Sequence, residues 1–219
     1  MAESRATWQR ARRPEEKEER RTVILQAAAK LLDDEGMEGT GLNAIARAAG
    51  ISKPNLYRYF ESREAILLDL LLEEHRAWTK AFRHKLNRLD ATADPETVAA
   101  AFAGSIASRK RYCVLIGALA TVLERNVGEE TVRAFKRELH SGNVPLAAAL
   151  REKLPTLTEE EAYRALALLL MAASGMWPHS HPAPVVQEVL KDPEFASMRF
   201  NFKELAREHA LLLLRGLLA

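Results

Sequence analysis

Residues 50–60 of the chain read GISKPNLYRYF. Lys53, Asn55 and Arg58 bring cationic and amide donors into this short run, and Tyr57 and Tyr59 add phenolic hydroxyls. Such groups suit base edges and phosphates. Arginine pairs bidentately with guanine and asparagine with adenine, while a tyrosine OH can reach a phosphate oxygen as its ring packs inward or along a sugar. Phe60 has no polar handle and, like Leu56, belongs to packing. The same aromatic density fits a piece of interior, so core packing is the competing reading for Tyr57 and Tyr59. The elements that carry the run must decide.

Those elements read as short helices. Val23, Ile24, Ala27, Ala28, Leu31 and Leu32 form an apolar stripe at helical spacing, which stops at Gly36. Thr40 is placed to cap a second helix with Leu42, Ile45, Ala46 and Ala49 on its buried face, and Gly50 closes it. Ser52 is placed to cap a third, very short helix with Pro54 in its first turn, and Ser62 to cap a fourth that reaches about Leu89. The connection Ala48-Ala49-Gly50-Ile51-Ser52 is tight and made of small residues. It has the build of a helix–turn–helix corner, a motif also common in helical proteins of other kinds.

The whole chain fits this helical pattern. Its 219 residues are 47% hydrophobic and 28% charged, enough for a sizeable core, and strand-type alternation is missing. The net charge of +2 gives no overall basic excess, so nucleic-acid binding would have to rest on local charge. The single cysteine, Cys113, rules out an internal disulfide and fits a reducing cytoplasm, and the charged N-terminus is not signal-like. The expected location is cytoplasmic. Residues 1–20 read as a flexible charged arm, in which Arg5, Arg10, Arg12 and Arg13 either reach a minor groove or stay solvated. After the likely break at DATADPETV (90–98), further helices are expected near 95–108, 110–126, 128–152, 158–177 and 200–218. Residues 178–199, with four of the nine prolines, read as a long loop with one short helix.

Residues 23–72 resemble the DNA-binding domain of the TetR/AcrR family of bacterial transcription regulators. The resemblance is carried by ILQAAAKLLDDEG, the Thr40 position, AIARAAGISKPNLYRYF and ESREAILLDLL, with spacing kept across four helices. It implies an all-α fold of about nine helices: a three-helix helix–turn–helix domain (21–63) joined to a larger helical domain (64–219) for effector binding and dimerisation. Residues 53–59 would be the recognition helix in the major groove. Lys53, Asn55 and Arg58 would face bases or phosphates, and Thr40, Tyr57, Tyr59 and Arg63 backbone phosphates. Pro54 and Asn55 depart from the small residues common at those positions, and Asn55 can alter the sequence read.

For the C-terminal region the resemblance implies a small-molecule pocket and a dimer surface. Trp78, Phe82, Phe102, Tyr112, Cys113, Met171, Met176 and Trp177 are candidate pocket walls, with ordinary core as the alternative for each. The dimer candidates are Ala162–Trp177, with its apolar run Ala165–Ala173, and Leu205–Leu218. His179 and His181 could bind a metal, but no third ligand is apparent nearby, and Cys113 reads as packing rather than as a redox sensor. No catalytic grouping or cofactor motif is recognisable. The expected function is a homodimeric, sequence-specific transcriptional regulator, a repressor released from a palindromic operator by a small-molecule effector. The alternative is a helical binding or carrier protein without specific DNA binding.

Overall fold

A proline and two glutamates open the first helix. Pro14 suits a first turn, where its missing N–H had no partner, and Glu15 and Glu16 complement the positive end of the helix dipole. The computed structural model describes residues 14–219, and in it helix α1 spans Pro14–Gly39. Helix therefore begins inside the stretch expected as a loose arm; Arg5, Arg10, Arg12 and Arg13 lie outside the described residues. Ile24, Leu25, Ala28 and Leu32 are its buried stripe. The helix kinks at Gly36 (φ 70°, ψ −169°), a backbone region essentially reserved for glycine.

Three helices follow: α2 (Leu42–Ala48), α3 (Lys53–Leu56) and α4 (Arg63–Asn87). Ser52 accepts from the Asn55 amide and Ser62 from the Ala65 amide, so both are the caps the sequence indicates. Thr40 is not. The residue before α2 is Gly41, which has no side chain to cap with, and the Thr40 hydroxyl instead donates to the Met37 carbonyl at 2.8 Å.

The chain divides into two compact units between Leu70 and Leu71, within α4, rather than at residues 63/64. The opening turns of α4 belong to the first unit for a visible reason. Arg63 bonds to Met37 and Thr40, and Asp69 pairs with Arg21 on α1.

The second unit comprises the rest of α4 with α5 (Pro95–Ile106), α6 (Lys110–Ala118), a π-helical turn (Leu119–Leu123), α7 (Glu129–Lys153), α8 (Glu159–Ser180), α9 (Pro184–Val189), a 3-10 turn (Pro193–Met198) and α10 (Phe202–Leu218). Caps set the starts. Asp94 accepts from the Thr97 amide at 2.7 Å, Thr158 and Glu161 form a reciprocal capping box, and Asn201 accepts from Glu204. Helix α10 buries Phe202, Ala206, Ala210 and Leu214, four residues apart on one stripe, and packs mainly on α5 and α8; α8 also packs on α6 and α7.

Residues 178–199 are more ordered than a long loop. Helix α8 continues across Pro178 to Ser180, because the amide of His181 still reaches the Trp177 carbonyl and the Ser180 hydroxyl closes on Met176. The remainder holds α9 and the 3-10 turn. The described residues are all-α, with no strand, and no helix among them is long and apolar enough to cross a membrane.

Candidate nucleic-acid interface

The turn between α2 and α3 is set by one glycine. Gly50 adopts φ 67°, the left-handed region that costs a side-chain-bearing residue about 1 kcal/mol or more. Its amide bonds to the Arg47 carbonyl and the Ile51 amide bonds back to Ala46 at 2.9 Å, the paired bonds of a Schellman cap. The chain thereby reverses within a few residues and α3 starts at once under the Ser52 cap. Ile45, Ala46, Ala49 and Leu56 are buried at this corner.

Regular helix in α3 stops at Leu56, short of the expected 53–59. Tight turns carry the fold onward, with Arg58 bonding back to Asn55 and Tyr59 and Phe60 both to Leu56. The side chains then separate by face. Leu56 and Phe60 are buried, Lys53, Pro54 and Arg58 are exposed, Tyr57 is 50% exposed, and Asn55 and Tyr59 are half-buried. The outer face thus carries two cations, an amide and a phenol on a backbone fixed from beneath.

That fixing comes partly from a residue the sequence reading missed. The Arg21 guanidinium on α1 donates to the Tyr59 carbonyl at 2.6 Å, pairs with Asp69 on α4, and lies 4.2 Å from the centre of the Phe60 ring. One side chain therefore ties the end of the recognition segment to the helices on both sides of it.

Thr40 and Arg63 come together, but not as an open pair. Arg63 donates to the Thr40 carbonyl (2.8 Å), to the Thr40 hydroxyl (3.0 Å) and to the Met37 carbonyl. Thr40 is wholly buried, so it has no surface to offer a ligand directly and acts by holding Arg63.

The candidate effector residues fall in different places. Trp78, Phe82, Phe102, Tyr112 and Cys113 form one buried cluster in the second unit, with Trp78 stacked on Phe82 and Tyr112 and edge-on to Phe102. Two buried polar groups that the sequence reading left out sit in it. Ser105 accepts from the Trp78 indole at 3.0 Å, and His75 Nδ1 lies 2.8 Å from the Tyr112 hydroxyl. Burial pushes the His75 pKa down to about 4, with Arg76 adding to the shift and Asn143 opposing it. His75 Nε2 and Asn143 Oδ1 are buried without a hydrogen bond of normal geometry. Burial likewise pushes the Cys113 thiol up to about 12 and so makes it inert.

Trp177 lies outside that cluster, stacked on His181 at 3.7 Å and edge-on to Phe202. Met176 is half-buried, and Met171 is 66% exposed on the outside of α8. No group of three or more metal-ligating side chains occurs among the described residues.

A glycine-turned helix pair with donors on its outer face, followed by a separate helical unit, defines a helix–turn–helix protein. Residues 24–70 match the family model described as bacterial regulatory proteins, tetR family. Residues 72–219 match the model described as tetracyclin repressor-like, C-terminal domain. The chain belongs to the TetR family.

Among similar proteins, the HTH-type transcriptional regulator EthR of Mycobacterium tuberculosis is 40% identical over 72 residues, covering 32% of this chain and 33% of the relative. RutR of Escherichia coli is 40% identical over 67 residues, covering 29% and 32%. The matched stretch thus spans about a third of the length of these curated relatives. Solved structures align over nearly the whole chain. The fatty acid degradation regulator FadR of Bacillus halodurans gives a TM-score of 0.56 at 17% identity, covering 90% of this chain and 98% of that one. The TetR family regulator PfmR of Thermus thermophilus gives 0.55 at 24%, covering 89% and 98%. At those identities the likeness is one of fold.

Proposed function

We propose that the protein is a sequence-specific DNA-binding transcriptional regulator, a repressor that reads a palindromic operator as a homodimer. One observation carries this most: Lys53, Tyr57 and Arg58 stand exposed on a segment whose Leu56 and Phe60 are locked in the core. In this reading Lys53, Asn55 and Arg58 meet base edges, and the Tyr57 and Tyr59 hydroxyls meet phosphates. Arg63 keeps a partly exposed edge beside the backbone at the start of α4, with Thr40 bracing it. A two-fold dimer sets two such segments on successive turns of the major groove.

A small-molecule effector enters the second unit and favours an arrangement in which the two recognition segments are wrongly spaced. By linkage, DNA then weakens effector binding by the same factor. The aromatic cluster around Trp78, with His75 and Asn143 carrying unused hydrogen-bonding capacity, supports an effector that is mostly apolar. A cytoplasmic location and the absence of a catalytic step belong to the same reading. Fluorescence anisotropy with DNA flanking the protein's own gene, against random duplex of equal length, tests it. Preferential binding that Arg58→Ala abolishes supports the regulator. Equal weak binding to both would favour a carrier that keeps only the corner of the fold.

A further inference from the structure

Most of the large apolar side chains left exposed in the second unit lie on one stretch of chain. Met171 on α8 and Leu212 on α10 are 66% and 71% exposed, and the segment joining those helices adds Val185, Val186, Val189, Met198 and Phe200. That connecting segment is braced. The Arg199 guanidinium donates to the carbonyls of Leu190, Lys191 and Asp192 at the end of α9, and Gln187 bonds back to Pro182. The stack of Trp177, His181 and Phe202 clamps its two ends together. Apolar groups held outward by a braced scaffold lose little entropy on docking.

A receptor of matching character lies at the other end of α8. Val144, Ala147 and Ala148 of α7 and Tyr163, Arg164 and Ala167 of α8 line a groove of about 1030 Å³. It cannot take its own chain's connecting segment. Tyr163 and His181 stand eighteen positions apart on α8, roughly 27 Å at helical rise. Two-fold symmetry removes that distance. Ala167, Met171 and Gly175 form an open stripe centred on Met171, and an axis through it sets two α8 helices antiparallel. Position 179 then lies beside position 163 of the other copy, and 182 beside 160.

We propose that in the dimer the connecting segment Pro182–Phe200 of each copy seats in the α7–α8 groove of its partner, a reciprocal clasp continuous with the α8 and α10 contact. The inference rests on the dimer reading above and adds to it which surfaces cross between copies. An effector that shifts α7 against α8 would then be felt directly by the other copy.

The test uses the full chain with Val144→Cys and Val189→Cys together, the native Cys113 being buried and unreactive. A short bismaleimide gives a covalent dimer from the double variant and from neither single variant. In parallel, Val185→Ser, Val189→Ser and Phe200→Ser combined, all at exposed positions, raise the dimer dissociation constant in sedimentation velocity by at least about tenfold. A dimer that gives no covalent product and keeps its dissociation constant overturns the clasp and leaves the dimer reading standing. A monomer at all concentrations overturns both. If the triple variant loses its native circular dichroism, the cross-link alone decides.

Discussion

Arg21 and Tyr59, 38 positions apart, are joined by a hydrogen bond of 2.6 Å from guanidinium to backbone carbonyl. Because the same guanidinium pairs with Asp69 and covers Phe60, it sets where the recognition segment ends. Arg21→Ala is therefore expected to cost about 1–3 kcal/mol in urea unfolding, since it strands a carboxylate and a carbonyl at once. It should also weaken DNA binding without touching the DNA-facing residues. Arg21→Lys should recover less than half, because an ammonium cannot fork between two acceptors. Unchanged stability in Arg21→Ala would remove the latch.

Tyr57 and Arg58 call for the opposite pattern. Both are exposed, so Tyr57→Phe and Arg58→Ala should each change stability by less than about 0.5 kcal/mol. Binding should still fall. Arg58→Ala is expected to cost about 1–3 kcal/mol and relax preference at one base position, whereas Tyr57→Phe should weaken all sequences alike. Titration of the two variants across a set of single-base operator changes separates these outcomes.

Thr40→Val leaves the shape of a buried site and removes its hydroxyl, which bonds both Met37 and Arg63. The expected loss is about 1–2 kcal/mol in thermal or urea unfolding, with Thr40→Ser losing much less. Equal stability of Val and Ser variants would contradict the bracing role.

These three sites differ in how far the sequence revealed them. Caps and turns were legible because their signals are local: Ser52, Ser62, Asp94 and Gly50 each act within a few positions of themselves. The split of GISKPNLYRYF into anchored and free faces was also legible, since Leu56 and Phe60 lack polar atoms. Arg21 was not, because its partners lie 38 and 48 positions onward and nothing beside it marks them. Thr40 misled for the same reason. A threonine before an apolar run has the form of a cap, yet its hydroxyl serves Arg63, 23 positions away. Pro178 misled through a local rule that the bonds around Ser180 and His181 override. Nor could apolar spacing separate Met171, which is open, from Trp78, which is buried.

His75 supplies a pH prediction. Burial lowers its folded pKa to about 4 from the usual 6.5. Between those values the unfolded chain binds a proton that the folded one does not. The contribution to stability is thus complete above about pH 6.5, declines as pH falls, and stops declining below about pH 4. The loss is on the order of 3 kcal/mol between pH 7 and pH 4. Urea melts at pH 7.5 and 5 should show a smaller loss for His75→Gln than for the wild type; identical losses would contradict it.

The most direct test of the central claim is the salt dependence of binding to the protein's own flanking DNA, measured beside random duplex. A specific regulator is predicted to hold its own site at least about a thousandfold more tightly at physiological salt, with a different slope of log affinity against log salt for the two DNAs. Equal affinity and one common slope would contradict the account.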